Sequence, residues 1–540
     1  MGIIYVPYIL PHQKLSSFIH PTIRQKFIFA RQSYKGMKKT HKLLGLLLLL
    51  FMIWMAVSGV VLNHRSLFSD KEISRAALPT DYLYENWNYG FFKGSAPLSG
   101  DSVLLYGNEG VWLSDAANTF IREFNAGIKE GADNRKAMRV VRTASGEVYC
   151  ATLFALYRLE SDKQSWSPVD IPAKLDRISD MEVMGDSVVV VTRSELLVNK
   201  GDGKFIRKEL ATTPDLDEKR SLFRLIWTLH SGELFGWIGK LIVDGMAIVL
   251  VFLSITGALI WLLPKVIRRR KKKTLSAKRS THTLRFSGKW HNKVGYWLTI
   301  PLLIVVITGS FLRPPLLIAI SRAKVTPPPL TTMRTANPWH DLLRALRYDT
   351  EHDDWLLYTS EGFFSLASLD AAPRRMPYQP PVSVMGLNAF HPLGDDYWIT
   401  GSFNGLLLWN RTNGEIIDGF TGMPYRAAPG GMPFGNQKVS GFAADFTGKV
   451  FIFLYDTGAF AFEADKGFIA MPEEHARRPM SWWNLALEMH TGRLFTFLGL
   501  ASLLYPFLLG VLSFIMIYSG WKVYRRKRHP AIQKNKSMSS

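Results

Sequence analysis

Four apolar runs organise this chain. Leu43–Leu62 carries no charge, Leu241–Leu263 is interrupted only by Asp244, Tyr296–Leu312 is short and uncharged, and Leu494–Gly520 is long and uncharged. Each is long enough, or nearly so with interfacial flanks, to cross a hydrocarbon layer about 30 Å thick. The pattern predicts transmembrane spans at 43–62, 231–263, 294–312 and 491–520, with two large segments between them at 63–230 and 313–490.

Inside those two segments the apolar period shortens to that of strands. A strand, a turn containing Gly or Asp and a second strand recur at Asp101–Asp115, Gly146–Glu160, Asp186–Lys200, Asp354–Ala367, Asp396–Asn410 and Gly448–Glu463. Their starts lie 45 and 40 residues apart in the first segment, then 42 and 52 in the second. Such spacing suits propeller blades of about 40–50 residues. The fold class expected is a membrane protein with a four-helix transmembrane bundle and an all-β extracytoplasmic domain. Three blades from each segment would make one six-bladed propeller; a pair of β-sandwiches is the alternative.

The formal charge of +22 suggests nucleic acid only until its distribution is read. Segments 1–42, 264–293 and 521–540 hold 8, 12 and 7 of the 66 Lys and Arg and no Asp or Glu, so the rest of the chain is slightly acidic. Lys/Arg enrichment in short flanks marks the cytoplasmic side of a membrane. Both ends and the 264–293 loop are therefore expected inside and the β segments outside, and no nucleic-acid partner is expected. The run Arg268–Lys273 remains free to meet lipid headgroups. The first apolar run follows Met37–Lys39 as a secretory signal would, but it is longer than a typical signal core and no A-x-A site follows it, so a retained anchor is expected. Met37 also looks like a natural start, with residues 1–36 an extension or a mis-called start. The lone Cys150 excludes a disulfide framework, a cysteine zinc site and thioether-attached haem.

The spans are a duplicated unit. His41, Gly45, Ser58 and Gly59 match His291, Gly295, Thr308 and Gly309, at offsets of 4, 17 and 18 from each histidine. His230, Gly239 and Trp261 match His490, Gly499 and Trp521, at offsets of 9 and 31. An ancestral helix–loop–helix unit written twice explains both sets. Like histidines then share a membrane depth, His41 and His291 at the cytoplasmic ends of their helices, His230 and His490 toward the outer ends.

Ionisable residues at membrane spans are costly and usually functional. A single interfacial histidine reads most simply as a cap or headgroup contact, and a Ser-Gly pair as a packing device. Two matched pairs point instead to ligation, since two facing imidazoles at one depth are what a bis-histidine haem iron requires. Zinc fits less well, because a structural site gathers four ligands in one place. At about 100° per residue, Gly45 and Gly59 fall within roughly 40° of His41, and Gly295 and Gly309 likewise on the side of His291, so a flat macrocycle or a neighbouring helix could approach there. Gly239 and Gly499 fall opposite their histidines and suit helix–helix contact. His64 stands in reserve as a ligand or as a plain interfacial residue. Asp244 has Lys240 one turn before it, an i, i+4 pair by default, with a proton-relay or haem-propionate role as the alternative.

His230-Ser-Gly-Glu-Leu-Phe235 with Gly239, the Thr/Ser-Gly pairs, the closing Trp followed by basic residues, the His-x3-Gly motif and Asn63-His64-Arg65 resemble the PepSY-associated transmembrane family of bacteria. The likeness covers the four spans and their flanks. It implies an inner-membrane protein with four core helices, of a group whose characterised members include ferric-siderophore reductases with two b-type haems. Carried over, His41, His291, His230 and His490 become the haem-iron ligands, with His64 in reserve. No PepSY domain is recognisable in either β segment, and the last span is followed by about 20 residues without a flavin or nicotinamide site.

The reading that unites these observations is a di-haem membrane electron conduit reducing a ferric iron or ferric-siderophore complex. Its electron donor would be a quinol or a cytoplasmic reductase. Two rivals predict otherwise: a membrane-anchored propeller acting as a non-enzymatic binding, sensor or assembly protein has no pigment, and a transporter relaying protons through Asp244 and the histidines depends on a proton gradient. No hydrolase motif is present.

Overall fold

The computed structural model describes residues 21–528 except 163, 173–176, 427–434, 436 and 462–466. Most of the 1–36 extension, the end of the 521–540 tail and the last residues of the Gly448–Glu463 repeat therefore lie outside the described residues. The chain divides into two compact units, one formed by the chain up to Asn63, Ser221–Val325 and the chain from Glu488, the other by His64–Arg220 and Thr326–Leu487.

The first unit is helical. Its elements are α1 (Pro21–Leu47), α2 (Leu49–Asn63), α3 (Leu222–Ser231), α4 (Gly236–Lys272), α5 (Lys278–Trp297), α6 (Thr299–Phe311) and α7 (Leu316–Ile320); after α8 (Glu473–Ala476) of the other unit come α9 (Trp482–Thr491) and α10 (Tyr505–Arg528). Among the described residues two helices, Glu233–Lys272 and Thr496–Arg525, are long and apolar enough to cross a membrane. There are four such spans if each of two bent pairs is one span: Tyr34–Leu47 with Leu49–Asn63, bent by 57°, and Lys278–Trp297 with Thr299–Phe311, bent by 65°. The predicted spans 43–62 and 294–312 thus each contain a bend, at Leu48 and Leu298, which are repeat-equivalent positions 250 residues apart. In the second bend Pro301 has no N–H to offer the Trp297 carbonyl, so the helical ladder opens there.

The second and fourth units of the repeat diverge. Both α3 and α9 end at a left-handed glycine, Gly232 and Gly492, with φ of 80° and 75°. After Gly232 one short turn leads straight into α4, whereas the fourth span is first bent at Gly499 (φ 51°, ψ −131°) before α10 begins. Gly499 is thus a backbone device with open space beside it, not the helix–helix contact expected, whereas Gly239 of α4 lies against the Gly232 carbonyl at the end of α3, a close approach of two helices. In the helical unit α2 packs on α4, α1 on α10, α10 on α6 and α4 on α5, and Leu48, Met52 and Leu509 form a buried apolar cluster. Many outward side chains are large and apolar, as helices facing lipid require.

The second unit is all β apart from short turns and α8. Six successive antiparallel meanders are present among the described residues, opening with Gly94–Ser99, Ala137–Arg142, Ile178–Met184, Leu343–Asp349, Leu387–Gly394 and Val439–Phe446. Five have four strands, and the last has three among the described residues. Each opening strand packs on the next, and the sixth returns to the first through a parallel pairing of Gly94 with Phe442.

The apolar core has the same cyclic order. One buried cluster lies between each neighbouring pair of meanders, from Leu104 with Val140 round to Trp112 with Phe453. Middle strands such as Ser187–Thr192 are buried on both faces, which is why they read as unbroken Val runs. The fourth meander meets the third, so the two large segments of the sequence fold as one unit.

Candidate functional site

The four histidines of the repeat are brought together in two pairs. The ring centroids of His41 and His291 lie 6.1 Å apart at an interplanar angle of 65°. Those of His230 and His490 lie 6.1 Å apart at 62°. His41 and His291 sit on α1 and α5, ahead of the bends. His230 and His490 sit in the last turns of α3 and α9, separate helices that precede the spans rather than parts of them.

In all four rings Nδ1 is engaged. His41 Nδ1 donates to the Met516 carbonyl at 2.8 Å, and His230 Nδ1 to the Val305 carbonyl at 3.0 Å. A carbonyl can only accept, so the proton is on Nδ1 in both. His490 Nδ1 lies 2.9 Å from Ser58 Oγ, which gives its own hydrogen to the Trp54 carbonyl at 2.7 Å. His291 Nδ1 lies 3.0 Å from Thr256 Oγ1, which donates to the Phe252 carbonyl at 2.7 Å. With the hydroxyl hydrogen spent on the helix, each oxygen accepts from the imidazole. Every ring is therefore fixed as the tautomer with its lone pair on Nε2, the form that ligates a metal.

A small residue beside a hydroxyl residue seats each ring, and the seat belongs to another helix. A β-carbon on Gly59 would come 3.6 Å from His490 Cε1, one on Gly257 3.3 Å from His291 Cε1, one on Gly309 2.8 Å from His230 Cε1, and one on Gly520 2.7 Å from His41 Cε1. This reassigns Gly59 and Gly309, which helical spacing placed on the side of His41 and His291; they lie against His490 and His230. Gly45 and Gly295 face Met516 and Leu253 instead. Sequence reasoning missed Thr256-Gly257 and Ser519-Gly520, although the same Ser/Thr-Gly signal marks them. Their histidines lie far off in sequence, so spacing alone could not connect them.

His64 precedes a short turn, Arg65–Phe68, and belongs to neither pair. Asp244 accepts from Asn63 Nδ2 at 3.3 Å, and the same amide reaches the Ser231 carbonyl at 3.0 Å. That link ties α2 to α3 and α4, a partner the i, i+4 spacing with Lys240 did not suggest. Arg313 stands one turn beyond Gly309 and is an electrostatic neighbour of His490 and Arg493. Arg493 also bonds Glu488 at 2.5 Å.

The β unit carries its own polar belt on the opening strands. Arg347 Nη1 meets Asp180 at 2.6 Å and Arg347 Nε donates to the Phe390 carbonyl at 2.7 Å. Arg139 donates to Tyr106 Oη at 2.9 Å, and Ser95 to Asp445 at 2.5 Å. Burial, with Arg139 and Arg347 adding to it, holds His391 well below the usual histidine range. Asp349, Glu351 and His352 gather metal-type ligands, but Arg411 occupies Asp349, and His352 bridges Asp349 and Asp396 at 3.1 Å each; the group reads as an ion-pair network. Burial raises the Cys150 thiol above its ordinary range and leaves it unreactive.

A family model described as PepSY-associated TM region matches residues 16–263 and 192–527. No curated protein matches the chain. Solved structures with some likeness include the extracellular domain of BT4673 from B. thetaiotaomicron (TM-score 0.32, 10% identity, 74% of this chain and 35% of that chain). Others are PorZ of Porphyromonas gingivalis (0.29, 8%, 72% and 39%) and the WD40 β-propeller domain of Doa1 (0.32, 8%, 71% and 96%). The chain thus spans little more than a third of the first two.

Proposed function

This chain belongs to the PepSY-associated TM family, and from that premise we propose that it is a bacterial inner-membrane electron-transfer protein in which each histidine pair holds one b-type haem. The observation that carries the reading is the matched geometry of the two pairs. Metal–imidazole bonds of about 2 Å on either side of an iron, with the ring radii added, set centroids roughly 6 Å apart, close to the 6.1 Å found in both. All four rings have Nδ1 tied to a carbonyl or hydroxyl, the outer-shell contact that orients a ligating histidine.

His41 with His291 and His230 with His490 would each hold one such haem through their Nε2 lone pairs. Ser58, Thr256 and the Met516 and Val305 carbonyls hold the rings in place, and the glycines beside them leave the ring edges room. Arg313 puts positive charge near His490, which would favour an anionic group on the molecule bound there. When bound, haem supplies reversible one-electron exchange, and axial ligation and burial set its potential.

The acceptor we propose is a ferric iron or ferric-siderophore complex, with a quinol or cytoplasmic reductase as donor. The β unit itself we read as a six-bladed propeller, on the strength of its cyclic order of meanders and clusters. The test is the reduced-minus-oxidised absorption spectrum of the purified protein with haem quantification. Two b-type haems per chain are expected; a colourless protein that binds no added haem ends this reading and leaves a membrane-anchored propeller.

A further inference from the structure

Two lysines stand at the starts of neighbouring opening strands without a hydrogen-bond or ion-pair partner among the described residues. Lys93 immediately precedes Gly94–Ser99, and Lys136 immediately precedes Ala137–Arg142. Their backbones are locked into the ring: Lys93 N–H donates to the Tyr106 carbonyl at 2.7 Å, the Lys93 carbonyl accepts from Phe442 at 3.1 Å, and the Lys136 carbonyl accepts from Leu153 at 3.0 Å. Both side chains are half-buried, and neither makes a hydrogen bond or ion pair among the described residues.

The surroundings add positive charge rather than remove it. Lys93 feels Lys136 and Arg65, and Lys136 feels Arg65 and Arg177. The carboxylates near Lys136 are Asp133 and Glu109, and both are committed elsewhere. Asp133 takes two bonds from Arg65, at 2.6 and 2.9 Å. Glu109 is shared by Tyr84, Arg135 and Arg478. Arg65 cannot swing away, because its guanidinium also lies 3.8 Å over the Trp483 ring. Withdrawing like charges from water without a counter-charge is strongly destabilising, and a bound anion would supply that counter-charge. Burial and these neighbours lower Lys136 to about 8 and hold Lys93 well below the ordinary lysine range, as expected of cations lacking a counterion.

We propose that Lys93 and Lys136, with Arg65 fixed beside them, form a binding site for a small oxyanion carrying at least two negative charges. The site lies in the β unit and is independent of the histidine pairs and of the haem reading. Two ammonium groups recognise charge and oxygen without demanding one geometry, so tricarboxylate and phosphate chemistry both fit, and a monovalent halide does not.

The test is calorimetric titration of the full-length protein in a neutral detergent with citrate, with inorganic phosphate and with chloride. Saturable binding of citrate or phosphate, but not chloride, is expected. Lys93→Met and Lys136→Met should each weaken it about tenfold or more, the loss of one charge-assisted contact. Absence of saturable binding by either oxyanion, or equal affinity in the double variant, overturns the proposal. A second measurement needs no variant: acylation of lysine amines in the wild-type protein, mapped by mass spectrometry. Citrate or phosphate should protect Lys93 and Lys136 while leaving Lys449, which makes an exposed hydrogen bond to the Ala117 carbonyl at 3.0 Å, unaffected; unchanged labelling of all three with both oxyanions also overturns it.

Discussion

Ser58 accepts a hydrogen bond from His490 Nδ1 at 2.9 Å while donating its own hydrogen to the Trp54 carbonyl one turn back. The two residues are 432 positions apart. One hydroxyl thereby fixes the tautomer of a ring delivered by the other half of the repeat. Thr256 does the same for His291.

Removing that hydroxyl should loosen the ligand without deleting it. Ser58→Ala is expected to lower haem affinity at the His230–His490 pair by about 10–100-fold, the usual cost of losing an outer-shell partner. Ser58→Thr should preserve it. Haem titration and the midpoint potential of the purified variants check this, and an unchanged titration in Ser58→Ala would count against the tautomer argument.

Single histidine replacements should sort by pair. His230→Ala and His490→Ala should each abolish the same haem signal, and the double variant should lose no more than either. His41→Ala and His291→Ala should abolish the other signal. Low-temperature absorption or electron paramagnetic resonance resolves the two; loss of both signals from one substitution that leaves the protein folded would contradict independent sites.

The glycine seats predict a graded series. Alanine at Gly309 or Gly520 would place a carbon 2.8 or 2.7 Å from a histidine ring, whereas at Gly257 the gap is 3.3 Å and at Gly59 it is 3.6 Å. Gly→Ala by itself favours a helix by about 1 kcal/mol. Haem content should nevertheless fall in Gly309→Ala and Gly520→Ala and stay near wild type in Gly59→Ala. A reversed order would refute the seat.

In the β unit, Asp180→Ala should cost about 3–5 kcal/mol, because Arg347 would be left buried and uncompensated. Arg347 also meets Glu182 at 3.4 Å, so the lower end of that range is expected. The pair joins the third meander to the fourth, and the loss should appear as a lowered thermal midpoint of the β signal in circular dichroism.

Lys136 gives a pH dependence with a definite sign. Its pKa is about 8 in the folded protein against an ordinary 10.5, so between those values the unfolded chain binds more protons. Stability then rises with pH across that window, and the destabilising contribution is fully present below about 8. Denaturant midpoints between pH 8 and 9.5, below the range where the buried tyrosines titrate, should rise more steeply in wild type than in Lys136→Met. Parallel curves would remove Lys136 as the cause.

Much of this architecture was legible in the chain. Apolar runs announced the spans, and the 250- and 260-residue offsets exposed the duplication and named His41, His291, His230 and His490. The strand pairs quoted from the sequence are the second and third strands of the meanders, such as Ser102–Gly107 with Gly110–Asp115, whose buried faces leave an apolar signature. The opening strands were missed because they carry Arg139, Asp180 and Arg347, which break that signature.

Composition and periodicity thus determined what recurs: helical spans, strand pairs and one histidine per repeat element, each set by local hydrophobicity and spacing. Which rings face one another, and that Gly59 and Ser58 serve His490 rather than His41, was decided only when distant helices packed. Helical spacing gives the direction of a side chain about its own axis and is silent on which neighbour lies in that direction. Partner choice arises from the packing of whole helices, whose bends at Leu48 and Leu298 no apolar pattern records.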